Sequence, residues 1–261
     1  MLIKPKKSLG QNFLHDENII NKIINASKIS SDDQVLEVGP GTGNLTKLII
    51  SQKPKKIYVV EKDKSLAAEL EKQYYNKINI INEDILKITN EFYSGKKFLI
   101  LGNLPYNIST KILSNWCLNN KLNVSKMILM FQKEVAERIL ANVNSKEYSR
   151  ITILSKWKFD IRKITDVKPN SFFPKPKINS SVLEFIPKTK IYKIKDPKNL
   201  EKITKVFFSQ IRKMINKPIN ILFKKLKFDY KKLNLHPSDR PQNVDISKYL
   251  KIVNEYESLG N

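Results

Sequence analysis

Along the first two-thirds of the chain, short apolar runs alternate with stretches where apolar residues recur every three or four positions. The runs at residues 34–38, 56–60, 78–81, 98–101 and 126–130 predict five strands. Helical spacing at 45–51, 64–73, 110–118 and 131–140 predicts helices between and after them; in the last, Phe131, Val135, Ile139 and Leu140 share one stripe. Strands separated by helices argue for an α/β fold with a parallel, doubly wound sheet. Two further runs, 151–157 and 182–186, predict a closing antiparallel pair. Beyond Pro187 the strand signal fades, and residues 200–215, 219–226 and 246–253 carry helical spacing. This change of texture sets a boundary near Pro187, with an α/β domain over 1–187 and a small all-helical domain over 188–261. The chain has no internal repeat and no low-complexity linker.

Charge adds a partner to this picture. The 261 residues carry a net charge of +23, which calls for a polyanion, either nucleic acid or an anionic membrane surface. Part of the excess is a bias toward Lys over Arg. The charge is uneven all the same: residues 186–232 hold fifteen Lys or Arg against three acidic side chains, so the C-terminal part is strongly basic. No run approaches the roughly 20 apolar residues of a membrane span, and no apolar stretch follows the basic start. A soluble, cytoplasmic protein is expected. Cys117 is the only cysteine, which excludes an internal disulfide and a Cys-based zinc site; no metal is expected.

Candidate chemistry gathers at the predicted strand ends. Val35-Leu36-Glu37-Val38 runs into Gly39-Pro40-Gly41-Thr42-Gly43, a strand-to-helix turn where backbone approaches a ligand closely. The glycines fall one residue short of the dinucleotide spacing, and no Walker lysine follows. Glu61 ends the next strand, where an acid binds ribose hydroxyls, and Asp84 ends the third, where it suits an adenine amine. An NAD enzyme would share this logic, and solvated strand ends are the plainer alternative. Asn103-Leu104-Pro105-Tyr106 follows the fourth strand. The exocyclic amine of a nucleobase is a poor nucleophile because its lone pair is delocalised into the ring. An Asn oxygen and a main-chain carbonyl beside the proline can accept both N–H hydrogens, and a Tyr face can stack on an extruded base. An ordinary strand-to-loop turn would use the same residue types.

The glycine-rich stretch from Val35 to Thr46 resembles that of class I S-adenosylmethionine-dependent methyltransferases. Together with Asn103-Leu104-Pro105-Tyr106-Asn107-Ile108-Ser109-Thr110 it resembles the KsgA (RsmA) family of ribosomal RNA adenine N6-dimethyltransferases. Four other stretches carry the likeness along nearly the whole chain: residues 7–14, 131–138, 172–180 (an F-x-P-x-P-K pattern) and 207–213. The resemblance implies a Rossmann-like class I methyltransferase sheet with a basic C-terminal RNA-binding domain. It implies S-adenosylmethionine as cofactor, held by Asn12, Leu14, Glu37, Gly39, Gly41, Glu61, Asp84 and Asn103. Asn103, Leu104, Pro105, Tyr106 and Phe172 would carry catalysis, with Tyr106 and Phe172 sandwiching the target adenine. The reaction would dimethylate N6 of two neighbouring adenosines in the hairpin near the 3′ end of 16S rRNA. The partner would be a small ribosomal subunit assembly intermediate, met by a monomer without membrane contact.

Two positions depart from the family pattern. Ser149-Arg150 stands where Gly-Arg is usual, and Gln210 is followed by Ile211-Arg212 rather than paired arginines. Two rival readings are a large-subunit rRNA adenine methyltransferase of the antibiotic-resistance type and a ribosome-assembly factor acting mainly by binding. His15 and His236 are not needed as bases, because the methylated amine is acidic enough to lose its proton to water.

Overall fold

A computed structural model describes residues 5–6, 9–224 and 228–259. Lys7 and Ser8 of the N-terminal signature and Leu226 of a predicted helix lie outside the described residues. The chain divides into two compact units, one of residues 1–136 and 160–187, the other of 137–159 and 188–261. The sequence pattern sets a single boundary at Pro187; the contacts also assign residues 137–159 to the second unit.

The first unit is built on a seven-stranded sheet. Its strands, in chain order, are β2 (Gln34–Val38), β3 (Lys56–Val60), β4 (Asn79–Ile81), β5 (Lys97–Asn103), β6 (Asn123–Gln132), β7 (Phe159–Val167) and β9 (Ser180–Pro187). The spatial order is β4-β3-β2-β5-β6-β9-β7. β2 pairs in parallel with β3 and with β5, β3 with β4, and β5 with β6, while β9 runs antiparallel to β6. A separate pair joins β1 (Phe13–Leu14) to β8 (Phe172–Phe173). Helices α1 (Glu17–Ser27), α2 (Asn44–Ser51), α3 (Lys64–Gln73), α4 (Asn90–Tyr93) and α5 (Ser109–Leu118) connect or flank the strands, and α6 (Lys133–Leu140) follows β6. Continuous runs such as Phe98-Leu99-Ile100-Leu101 in β5 are fully buried, as strands covered on both faces must be. One core cluster includes Val35, Ile49, Val59, Leu101 and Ile128.

This strand order fixes where a ligand can sit. From β2 the chain turns to β3 and β4 on one side and to β5 and β6 on the other. The carboxyl ends of β2, β3 and β5 therefore line a crevice at the point where the winding reverses.

Residues 151–157 are not a strand. They lie in α7 (Arg150–Lys158), and the partners of β9 are β6 and β7. Ile151, Ile153, Leu154 and Trp157 are buried, and so are Thr152 and Ser155, so this helix has almost no polar face to betray its period. Ser149 precedes it, and its backbone N–H donates to Thr152 Oγ1 (3.0 Å). The bond uses the Ser149 backbone, which a Gly at that position would supply as well. The remaining helices of the second unit are α8 (Pro197–Phe208), α9 (Asn216–Phe223) and α10 (Ile246–Ser258). The predicted 200–215 helix stops at Phe208, and Gln210 lies in the turn beyond it, its carbonyl accepting from Lys213 N–H (2.8 Å). Phe207 of α8 meets Tyr249 of α10 edge-on, with ring centroids 5.2 Å apart. Among the described residues no helix is long and apolar enough to cross a membrane.

Candidate functional site

One cavity collects most of the predicted residues. Its lining includes Asn12, Leu14, Glu37, Gly39, Gly41, Glu61, Asp84, Asn103, Leu104, Pro105 and Tyr106. The glycines are there for backbone reasons. Gly41 has φ +58°, and a Cβ on it would come within 2.6 Å of the Phe13 ring. Gly39, at φ +69°, brings backbone to the Asn103 carbonyl, which a Cβ would meet at 3.6 Å.

Three acids face this crevice in different states. Glu37 is 1% exposed, and its Oε2 accepts from Thr46 Oγ1 (2.7 Å). Burial, with the Glu61 charge adding to it, pushes its carboxyl up to about 8, so at neutral pH it is an acid holding its proton. Glu61 is also raised by burial, against hydrogen bonds from the Asp63 and Gly41 N–H groups at 2.8 and 3.3 Å. Asp84 goes the other way: burial opposes its charge, but the Leu86 N–H and the Lys62 ammonium, each at 2.9 Å, hold it below the usual carboxylate range. An ionised Asp84 is an acceptor for an amine, and Glu61 keeps lone pairs free for hydroxyls.

Asn103 ends β5 with its carboxamide fixed at one end only. Its Nδ2 donates to the Asn12 carbonyl (2.8 Å), while its Oδ1 is buried without a hydrogen-bond partner. A buried acceptor left unpaired costs about 1–3 kcal/mol, so it marks a place where a donor is expected. Leu104 is buried and props Gly102, whose Cβ position lies 3.0 Å from its Cδ2. The Tyr106 hydroxyl is bonded to Ser180 Oγ (2.6 Å), which holds the ring at the rim of the same cavity.

Phe172 is not part of that lining. It is 3% exposed, pairs with Leu14 across β1 and β8, and belongs to the core cluster. Its neighbour Phe173, opposite Phe13, is 62% exposed. Alternation along an extended segment sends one ring inward and the next outward, and the pattern F-x-P-x-P-K does not reveal which is which. Two further residues hold this site: Asn44, whose Nδ2 donates to the Leu14 carbonyl (2.8 Å), and Gln11, whose Nε2 donates to Asp63 (3.0 Å). The partner of Asn44 lies 30 residues away and that of Gln11 52 residues away, which leaves no local pattern. His15 and His236 lie outside the cavity lining; His236 Nδ1 bonds Ser238 Oγ in an exposed turn.

Comparison with known proteins agrees with this geometry. The family model for ribosomal RNA adenine dimethylase matches residues 3–258. The chain is 52% identical to ribosomal RNA small subunit methyltransferase A of Pelagibacter ubique, over 99% of both proteins. It is 41% identical to the protein of that name from Malacoplasma penetrans, over 97% of this chain and 92% of the relative. Among solved structures, a dimethyladenosine transferase from Plasmodium falciparum superposes with a TM-score of 0.80 at 28% identity, covering 95% of this chain and 98% of that one. The 23S rRNA methyltransferase ErmE shares the fold, with a TM-score of 0.67 at 21% identity over 94% and 100% of the two chains. In this chain the strand-end cavity, glycine turn and Asn-Leu-Pro-Tyr corner stand within a likeness that runs the length of the protein: the chain belongs to the ribosomal RNA adenine dimethylase family.

Proposed function

We propose that this protein transfers methyl groups from S-adenosylmethionine to N6 of two adjacent adenosines in the 3′-terminal hairpin of 16S rRNA, on a small-subunit assembly intermediate. The observation that carries this reading is the orphaned Oδ1 of Asn103, buried beside Tyr106 while Nδ2 is committed to Asn12. A carboxamide oriented in this way accepts an N–H from an incoming amine and draws its lone pair out of conjugation. The names of the Pelagibacter and Malacoplasma relatives favour the small subunit. A substrate of that kind would be met in the cytoplasm, and no second copy is invoked by the site.

The residues present suit the cofactor. The left-handed glycine turn admits its methionine part, Glu61 has oxygens for ribose hydroxyls, and ionised Asp84 suits an adenine amine. Asn12 and Leu14 line the same cavity and would close over the cofactor. When bound, the cofactor supplies an electrophilic methyl group. The protein then has to align the amine, exclude water and stack the base. Tyr106 provides one face, worth roughly 1–3 kcal/mol against the few kcal/mol needed to extrude a base. No general base is required, since the methylated nitrogen loses its proton to water. The basic C-terminal domain, 188–261, is proposed to supply sequence-independent RNA affinity that weakens with salt.

The test is mass spectrometry of both ribosomal RNAs after incubation of undermethylated subunits with the protein and S-adenosylmethionine. Dimethyladenosine is expected in the 3′ hairpin of the small-subunit RNA with wild type and absent with Asn103→Ala. Modification of the large-subunit RNA instead would favour the antibiotic-resistance type. Full rescue of assembly by a variant unable to transfer methyl groups would favour a binding role.

A further inference from the structure

The Asn12 carbonyl can orient Asn103 only while the chain around it is held. On its C-terminal side, Leu14 is pinned by Asn44 and paired with Phe172. On its N-terminal side, the holding group is Asp63, a side chain between β3 and α3 that does not line the cofactor cavity. Asp63 is 3% exposed. Its Oδ2 accepts from Gln11 Nε2 (3.0 Å), and its Oδ1 accepts from Lys6 Nζ (2.8 Å), Ser65 Oγ (2.6 Å) and Ser65 N–H (3.0 Å). Gln11 returns the grip, its Oε1 accepting from the Lys6 backbone N–H (2.6 Å). We propose that Asp63, by clasping Gln11 and Lys6, is a positioning residue that sets the orientation of the Asn103 carboxamide for methyl transfer.

A carboxamide can be flipped so that oxygen and nitrogen exchange places at little cost unless a neighbour discriminates them. A backbone carbonyl discriminates them, because it accepts only from the NH₂ end. With Asn12 in place, Nδ2 must face the arm, the N-terminal segment that carries Lys6, Gln11 and Asn12, and Oδ1 is left as the unpaired acceptor. Gln11 is the adjacent residue, so releasing it from Asp63 lets the Asn12 carbonyl drift. Small displacements of groups that align reactants cost up to about a hundredfold in rate. Two of the clasp's three residues, Gln11 and Lys6, lie in the arm, and Asp63 reaches them across 52 and 57 residues of sequence.

This inference rests on Asn103 as the amine acceptor, and Gln11→Glu tests it. The substitution keeps the size of the side chain but turns a carboxylate toward Asp63. The charged groups facing that pair are Lys6 from the arm and Glu61 at the end of β3. At pH 8 repulsion should release the arm, and single-turnover transfer at saturating cofactor and RNA should fall about tenfold or more while the protein stays folded. Two carboxylates in contact share a proton at raised pH. The variant should therefore regain rate, relative to wild type, as pH falls toward 6. Lys6→Met should lose less, and Lys6→Arg should restore it. A wild-type rate for Gln11→Glu at pH 8 overturns the proposal. So does an equal loss at every pH, because the carboxylate pair would then not be the cause. If Gln11→Glu does not fold, Lys6→Met decides: a wild-type rate there also overturns it. Failure of wild type to methylate the hairpin would instead remove the reading of Asn103 itself.

Discussion

Glu37 makes a quantitative demand on the stability of this protein. It is fully buried in β2, and its carboxyl is raised from an ordinary 4.5 to about 8, first by burial and then by the Glu61 charge. The sign follows from proton counting. Above pH 4.5 the unfolded chain releases the Glu37 proton, while the folded protein keeps it until about pH 8, so the folded state binds more protons throughout that window. This residue therefore makes stability fall as pH rises, at about 1.4 kcal/mol per pH unit, and at pH 7 the accumulated cost is about 3 kcal/mol. Glu37→Gln keeps an oxygen for the Thr46 hydroxyl and removes the titration. The variant should match wild type near pH 4.5 and exceed it by about 3 kcal/mol at pH 7, several degrees in melting temperature. Urea unfolding of both proteins without cofactor, from pH 4.5 to 8, measures the difference and cancels groups common to both. Parallel curves across that range would refute a proton held on Glu37, and a variant less stable at pH 7 would reverse the reasoning outright.

The aromatic residues give two further predictions. Tyr106→Phe removes the hydroxyl that Ser180 holds but leaves the ring, whereas Tyr106→Ala removes both. In single-turnover transfer the alanine variant should be slower than the phenylalanine variant by roughly 5- to 150-fold, the range that 1–3 kcal/mol of stacking spans; equal rates would mean that the ring is not what counts. For the second face of the base, Phe172→Ala empties a core site and should cost about 3–5 kcal/mol of stability, while Phe173→Ala should leave the melting temperature unchanged. If Phe173→Ala nevertheless slows transfer with cofactor affinity intact, the exposed ring supplies that face. A wild-type rate in Phe173→Ala would return the role to Phe172.

Much of the first unit was legible because parallel strands covered on both faces read as uninterrupted apolar runs. β2, β3 and α3 have the same limits in the structure as in the pattern. That legibility extended to the site: once strands ran in parallel, Glu37, Glu61 and Asn103 had to emerge along one sheet edge. The pattern failed where period carries no signal. A helix exposed only in part, at Arg150, Lys156 and Lys158, gave the same apolar run as a strand. The two-residue strands β1 and β8 exist only because Phe13 and Leu14 find Phe173 and Phe172. The Asp63 clasp was hidden for the same reason, since an Asp one residue before Lys64 reads simply as the N-cap of α3.

What the fold adds to the residue list is the reason that an unpaired acceptor can exist at all. Asn103 Oδ1 and the protonated Glu37 are both unfavourable for the folded chain, and both sit at the carboxyl edge of the central strands. Each would relax by local rearrangement if its backbone could move. It cannot, because β2 and β5 are bonded to each other over five consecutive residue pairs and each has a second parallel neighbour. The Asn103 side chain keeps one freedom, the flip of its carboxamide, and the Asn12 carbonyl removes it. Rigidity from the sheet and discrimination from the arm are thus separate contributions to one orientation. The first comes from the hydrophobic core and is readable as apolar runs. The second depends on a bond between residues 91 apart in sequence, which no local pattern announces.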